Sequence, residues 1–342
     1  MDHIGIDVHK RESQICIVTA DGEVVEKRIR TERERFAAVL GGRAPTKILI
    51  EASTESEWVA RCLEELGHEV IVADPNYALM YATRSRRIKT DRRDAKALAD
   101  ACQHGHYRAA HRTSSEQRRV RSQLTVRETL VRTRTRMIVV CKALLSRHGI
   151  RVSGGESEQF GKRVRAAGLL ASVQEELEPL LLVLEQLQTQ VDALDRALER
   201  LAKEQAPVRA LCTVPGVGPV TAAAFVAAVD DPKRFRHAHQ VEAYLGLVPS
   251  ERSSGDKQQR GPITKSGPPR VRSLLVQAAL GLLHHRRSSS VHLRDWALRI
   301  KQRRGHGIAI VALARRLAGI LWAILRDGTS YRPQVSQLAA SS

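Results

Sequence analysis

Between residues 3 and 73, five short apolar runs alternate with turn signals and two helix-length segments, and that order leaves few ways for the chain to fold. The first run, His3-Ile4-Gly5-Ile6-Asp7, ends on a carboxylate. Ser13 to Ala20 and Glu23 to Arg30 follow as strand candidates separated by Asp21-Gly22, which implies two adjacent hairpins. Thr31 and Glu34 have the Thr-x-x-Glu spacing of a capping box and predict a helix through Leu40, ended by Gly41-Gly42. Lys47 to Ile50 is the next strand and closes on Glu51. A second box, Thr54 to Glu57, predicts a helix that stops at Gly67, before a fifth strand from Glu69 to Ala73.

Three antiparallel strands, then helix, strand, helix and strand, is the order of the ribonuclease H fold, so an α/β domain of that class is expected over residues 1–112. Asp7 and Glu51 both end apolar strands that would be central and adjacent, which sets them at the sheet rim. Thr90-Asp91-Arg92-Arg93-Asp94-Ala95 opens a helix to about Gln103, and Asp91 and Asp94, three apart, share one of its faces. Enzymes of phosphoryl transfer set two divalent ions roughly 4 Å apart among oxygen ligands, where they clamp attacking and leaving oxygens; four converging acids suit magnesium or manganese in this role. Each acid alone has a plainer reading: Asp91 as an N-cap, Asp94 as a first-turn charge, Asp7 as a turn residue, Glu51 as a solvated strand end. Their joint occurrence in a basic chain favours the metal cluster.

Lys and Arg number 56 against 37 Asp and Glu, a formal net charge of +19, and this excess points to a polyanionic partner. Cations flank the acids at Arg84, Arg86, Arg87, Lys89, Arg92 and Arg93, where phosphate would be drawn. Aromatic residues make up only 4%, which argues against a stacking platform for single strands and leaves backbone phosphate as the expected contact. Cys16, Cys62, Cys102, Cys141 and Cys212 lie far apart, without zinc spacing, and read as buried apolar side chains in a reducing compartment. Charges among the first ten residues replace the apolar core of a secretory leader, and no run reads as long enough to span a bilayer, so a cytoplasmic, membrane-free protein is expected.

Ser114 to Gln117 has the spacing of a further capping box, and its helix is expected to run to Arg147 and stop at Gly149. Arg118, Arg119, Arg121 and further cations spread around it, while Leu124, Val131, Ile138 and Leu145 keep one apolar stripe. Val152 to Gly161 reads as a loop. Leu177, Leu180, Leu184, Leu187, Val191, Leu194, Leu198 and Leu201 alternate spacings of three and four, the a/d pattern of a coiled coil, and predict a long helical insert over 113–205. Its partner is either the preceding helix, as an antiparallel hairpin, or another chain. A mostly α domain follows over 206–330, with a tail at 331–342. Within it Pro215-Gly216-Val217-Gly218 joins two short helices in the manner of helix-hairpin-helix elements, whose backbone amides meet DNA phosphates; a purely structural turn fits the same residues. Pro249 to Pro269 is a polar, glycine-punctuated stretch with Ser253-Ser254-Gly255 and Lys265-Ser266-Gly267. Three helices are predicted beyond it.

Taken together, Gly5-Ile6-Asp7-Val8-His9-Lys10, Ile50-Glu51-Ala52, Lys89-Thr90-Asp91-Arg92-Arg93-Asp94-Ala95, Val214-Pro215-Gly216-Val217-Gly218, Tyr244-Leu245-Gly246-Leu247-Val248-Pro249, Ser253-Ser254-Gly255 and Ile263-Thr264-Lys265-Ser266-Gly267 resemble the DEDD transposases of the insertion-sequence 110 family, relatives of the Piv DNA invertase. The resemblance covers nearly the whole chain in order and spacing. It implies an N-terminal domain similar to the Holliday-junction resolvase RuvC, with magnesium held at Asp7, Glu51, Asp91 and Asp94, and a serine nucleophile that matches Ser254, next to Ser253. It also implies double-stranded DNA at element ends and target as substrate, dimers pairing to a tetramer, and guidance by a structured noncoding bridge RNA. The family's usual Lys-x-Gly-Asn is Lys265-Ser266-Gly267-Pro268 here. Long helices separate acids and serine, so the two would meet either within one protomer or between protomers. A hydroxyl becomes a usable nucleophile once something removes its proton, which metal coordination can do. Two other readings compete: a metal-dependent junction nuclease in which water attacks, and a non-catalytic nucleic-acid-binding protein.

Overall fold

The computed structural model describes residues 1–81, 90–254, 257–284 and 290–333, with the backbone alone for 252–254, 257, 258 and 260. The chain divides into two compact units, Met1–Thr113 and Ser114–Ser342.

In the first unit β1 (His3–Val8), β2 (Glu12–Val18) and β3 (Val24–Arg30) form an antiparallel meander, and β4 (Lys47–Glu51) and β5 (Glu69–Ala73) add in parallel on the other side of β1. The order is β3-β2-β1-β4-β5, so β1 is central. Side chains alternate across a pleated strand, and here the alternation sorts the layers. Ile4, Ile6 and Val8, with Ile15, Ile17, Ile48 and Ile50, face α1 (Arg33–Leu40) and α2 (Ser56–Glu65) and pack on Phe36, Leu40, Val59 and Leu63. Each such aliphatic side chain contributes roughly 1.5–3 kcal/mol by leaving water. The opposite face, with Cys16, Val18 and Leu49, carries α3 (Asp91–His104) through Ala95, Leu98, Ala99 and Cys102.

Neither of the first two capping boxes forms. The Thr31 hydroxyl donates to the His9 carbonyl at 2.8 Å and accepts from Ser13 Oγ at 2.8 Å, and Glu32 occupies the cap position of α1. At α2 the cap is Glu55, and the local turn is closed by Ser56, whose hydroxyl donates to the Ser53 carbonyl. The third box forms by half: the amide of Gln117 donates to Ser114 Oγ, but the Ser114 amide donates to Asp230 Oδ2 and not to the Gln117 side chain.

In the second unit α4 (Ser115–Arg147) and α6 (Ala171–Glu204) pack antiparallel: Arg127 pairs with Asp195, and further along Arg134 meets Gln188. Val120 and Leu124 join Leu198 in one cluster, and Ile138, Cys141 and Leu145 join Leu177, Leu181 and Leu184 in another. The expected stripe is displaced in two places. Leu181 is buried where Leu180 was predicted, and Arg134 is buried on α4 where Val131 was. The expected loop to Gly161 gives way to α5 (Phe160–Arg165), whose Phe160 and Val164 close the end of the helix pair.

Beyond it, α7 (Ala206–Leu211) and α8 (Pro219–Val229) flank the Gly216–Gly218 turn, followed by α9 (Ala238–Tyr244). The apolar α8 lies at the centre of this unit's core. The polar stretch after Val248 is a two-stranded ribbon and not a loop: β6 (Pro249–Ser254) pairs with β7 (Lys257–Ile263). The three terminal helices are α10 (Pro269–His284), α11 (Val291–Arg304) and α12 (His306–Asp327). Contrary to the expectation that no run is of bilayer length, α12 has the length and apolar composition to cross a membrane. Leu313, Leu317 and Leu321 are fully buried in the core, and Arg315 pairs with Glu242, which accounts for its composition as that of a core helix.

A candidate metal centre

Four acids meet on one side of the sheet for reasons visible in strand register and helix packing. Ile6 lies opposite Ile50 in the parallel β1–β4 pair, so Asp7 and Glu51 follow in step at the two strand ends. Both are odd-numbered, and odd positions face α3. The approach of α3 is set by Gly5: a Cβ built there would lie 2.1 Å from the Ala99 nitrogen and 2.2 Å from the Ala95 oxygen. A glycine inside a strand marks a close backbone approach, and here the helix backbone rests directly on β1. Thr90 caps α3 by accepting from the Arg93 amide at 3.3 Å, which leaves Asp91 and Asp94 in the first turn, above the end of β1. Asp91 is therefore not the N-cap that its plainer reading made it.

The result is a concentration of negative charge. Asp7 and Asp94 are buried, and Asp91 is half exposed. His9 Nε2 stands 3.2 Å from Asp7 Oδ2 and 3.5 Å from Asp91 Oδ1, and donor atoms of these three residues all lie within 4.8 Å of one another. Burial pushes the Asp7 carboxyl above the usual aspartate range; His9 opposes this, and the charges of Asp91, Asp94 and Glu51 add to it. Tyr81 donates to Glu51 Oε2, and its hydroxyl is pushed well up by burial first, then by that hydrogen bond and the nearby acids. A divalent cation fits this set. The carboxylates are hard oxygen donors, their mutual repulsion calls for a positive charge, and the donor atoms of Asp7, His9 and Asp91 lie close enough together to share one ion.

The other predicted site residues belong to one or other of the two units, or lie outside the described residues. Ser254 is the last residue of β6, with its backbone paired to Lys257, and its side chain lies outside the described residues, as do Arg86, Arg87 and Lys89. Arg92 pairs with Glu26, while Arg93 is exposed beside the acids. Arg118 donates to Ser115 Oγ, and Arg121 donates to the Ala227 and Ala228 carbonyls, so its guanidinium caps the end of α8. Gly216, at φ +80, and Gly218, the cap of α8, are exposed. Lys265 is exposed with φ +56. Three residues of the site carried no role in the sequence reading: Gly5, His9 and Tyr81. Only Gly5 had a local signal, as a glycine within an apolar strand.

Comparison with known proteins gives the geometry a context. Residues 4–150 match a transposase family model of the DEDD, IS110 type, and residues 208–293 match the model of the transposase IS116/IS110/IS902 family. The chain is 31% identical over 339 residues to a Pseudomonas aeruginosa protein named "Probable family 20 transposase", covering 97% of this chain and 99% of that one. It is 28% identical to the transposase for insertion sequence element IS1111A of Coxiella burnetii, over 96% of this chain and 91% of the relative. With the transposase for IS1328 of Yersinia enterocolitica it shares 27% identity over 96% and 98% of the two chains. The chain belongs to the IS110 family of DEDD transposases, enzymes that bind, cut and rejoin DNA.

Proposed function

We propose that the protein moves an insertion element by cutting and rejoining element and target DNA, with Asp7, Glu51, Asp91 and Asp94 holding magnesium or manganese and Ser254 acting as nucleophile. The observation that carries this reading is the gathering of the four acids on the α3 face of one sheet, with Asp7 buried among them. The strand order β3-β2-β1-β4-β5 supports a ribonuclease H-like, RuvC-like domain over 1–112. The antiparallel α4–α6 pair supports a coiled-coil region over 113–205, which in this reading precedes a serine-bearing domain over 206–330 and a C-terminal segment, 331–342. When bound, the ion would lower the barrier by polarising the scissile phosphate and stabilising charge on the departing oxygen.

The chain's own groups do the rest. Tyr81 fixes the orientation of Glu51 by hydrogen bonding, and α3, capped by Thr90, holds Asp91 and Asp94 against β1. Ser254 Oγ attacks phosphorus as it gives up its proton; a bond from phosphorus to a deoxyribose oxygen breaks, and that oxygen leaves as a hydroxyl. The reverse attack by another strand's hydroxyl rejoins DNA and frees the serine. Backbone amides at Gly216 and Gly218, before an 11-residue helix, offer contacts to duplex phosphate as a helix-hairpin-helix-like element. Lys89, Arg93, Arg118 and Lys265 add cationic contacts, and the net charge of +19 suits a complex of DNA with a structured bridge RNA, assembled from dimers into a tetramer.

The test is strand transfer on labelled element ends. Ser254→Ala is expected to abolish joining and any covalent protein–DNA species while DNA binding persists, and Ser253→Ala to retain both. A Ser254→Ala protein that still joins DNA removes the serine mechanism and leaves a resolvase-type nuclease in which water attacks.

A further inference from the structure

We infer that His9 is a ligand of the same ion, a nitrogen donor added to the carboxylates, and that it biases the site toward manganese over magnesium; this rests on the reading that Asp7 and Asp91 hold a divalent cation. Asp7 and His9 are two apart on β1 and its extension, so they emerge on the same side of the sheet. Nε2 is the atom that reaches both carboxylates, at 3.2 Å and 3.5 Å. The backbone of His9 is tied down at both polar groups. Its amide donates to the Glu12 carbonyl at 3.2 Å, and its carbonyl accepts from Thr31 Oγ1 at 2.8 Å.

The ring's aim has no packing explanation. Its side chain is 57% exposed, and a solvent-exposed contact of this kind contributes only about 0–1 kcal/mol to stability. A group held firmly by its backbone, with Nε2 set between two carboxylates whose donor atoms all lie within 4.8 Å of one another, is what a metal ligand requires. Imidazole changes the selectivity of such a site. Magnesium keeps its waters and takes oxygen donors, whereas first-row transition ions gain from a nitrogen donor; manganese is the one among them that also suits a carboxylate-rich set.

Pulsed electron paramagnetic resonance of the full chain loaded with Mn2+ tests this without any DNA. The wild-type spectrum is expected to show nitrogen-14 modulation from a coordinated imidazole, absent in His9→Gln. The variant is expected to bind Mn2+ about tenfold more weakly by titration, with Mg2+ affinity within about twofold of wild type. Bound Mn2+ without nitrogen modulation in the wild type, or modulation that persists in His9→Gln, overturns the role of His9 and leaves the carboxylate site standing. Failure of the wild type to bind Mn2+ at all overturns the carboxylate site itself, and the role of His9 with it.

Discussion

Alanine at Gly5 tests how the site is assembled. The added methyl carbon would lie 2.1 Å from the Ala99 nitrogen, 2.2 Å from the Ala95 oxygen and 2.7 Å from the Leu98 carbonyl carbon. Ordinary contact begins near 3.4 Å, so the helix must retreat from β1 by about 1.3 Å. The obstructing atoms are helix backbone and have no rotamer to escape into. Overpacking costs about 1–3 kcal/mol where side chains can adjust, and the upper end applies here. Against a domain stability of about 5–15 kcal/mol the fold survives, with a melting temperature lower by roughly 10 °C or more. The retreat carries Asp91 and Asp94 away from Asp7, and a misplacement of about 1 Å in a catalytic constellation costs on the order of 100-fold in rate. Thermal melting with Mn2+ titration and strand transfer measures both effects. Gly42→Ala is the control, because a Cβ there meets nothing within 4 Å. If Gly5→Ala melts with the control and keeps full strand transfer, α3 does not rest on β1 as described, and the convergence of the acids loses its cause.

In metal-free protein the raised Asp7 carboxyl, caused first by burial, means that the folded chain holds this proton more tightly than the unfolded chain does. Ionising it therefore costs stability: the penalty is absent below the ordinary aspartate range and fully present above the folded pKa. Asp7→Asn is expected to melt higher than wild type at neutral pH in chelator, with the advantage vanishing as pH falls through that range, and saturating Mn2+ should stabilise wild type alone. A difference that does not vary with pH refutes this. At the α4–α6 seam, the buried Arg134 donates to Glu158 at 3.0 Å and to Gln188, and its Nε has no partner among the described residues. Arg134→Leu is expected to cost about 1–2 kcal/mol, since it keeps the bulk but leaves Glu158 and Gln188 without their donor, while Arg134→Ala costs about 2 kcal/mol more through the space it leaves. Denaturant unfolding that ranks the leucine variant below the alanine variant would contradict this account.

How far each element could be read from the sequence depended on where its partners lie. Apolar runs need no distant information, so the strands β1 and β4 and the place of Asp7 and Glu51 at the sheet rim are legible in the sequence, whereas the face they share with α3 emerges only from the register and packing of the sheet. The spacing of Asp91 and Asp94 worked in the same way, within one turn of α3. Capping boxes are equally local, yet Thr31 failed as a cap because His9 and Ser13, far back in the chain, offered its hydroxyl better partners. The ribbon of β6 and β7 escaped notice because its residues are polar and lack the apolar alternation by which a half-buried strand is recognised. Arg134 reads as a surface cation until Glu158 and Gln188, 24 and 54 residues away, account for its burial. His9 belongs with these cases. A histidine after a strand end has no meaning by itself, and it acquires one only when Gly5 lets α3 come down far enough to set Asp91 beside it. A single missing methyl group at the centre of β1 thus decides whether the acids, the imidazole and any ion they share can meet.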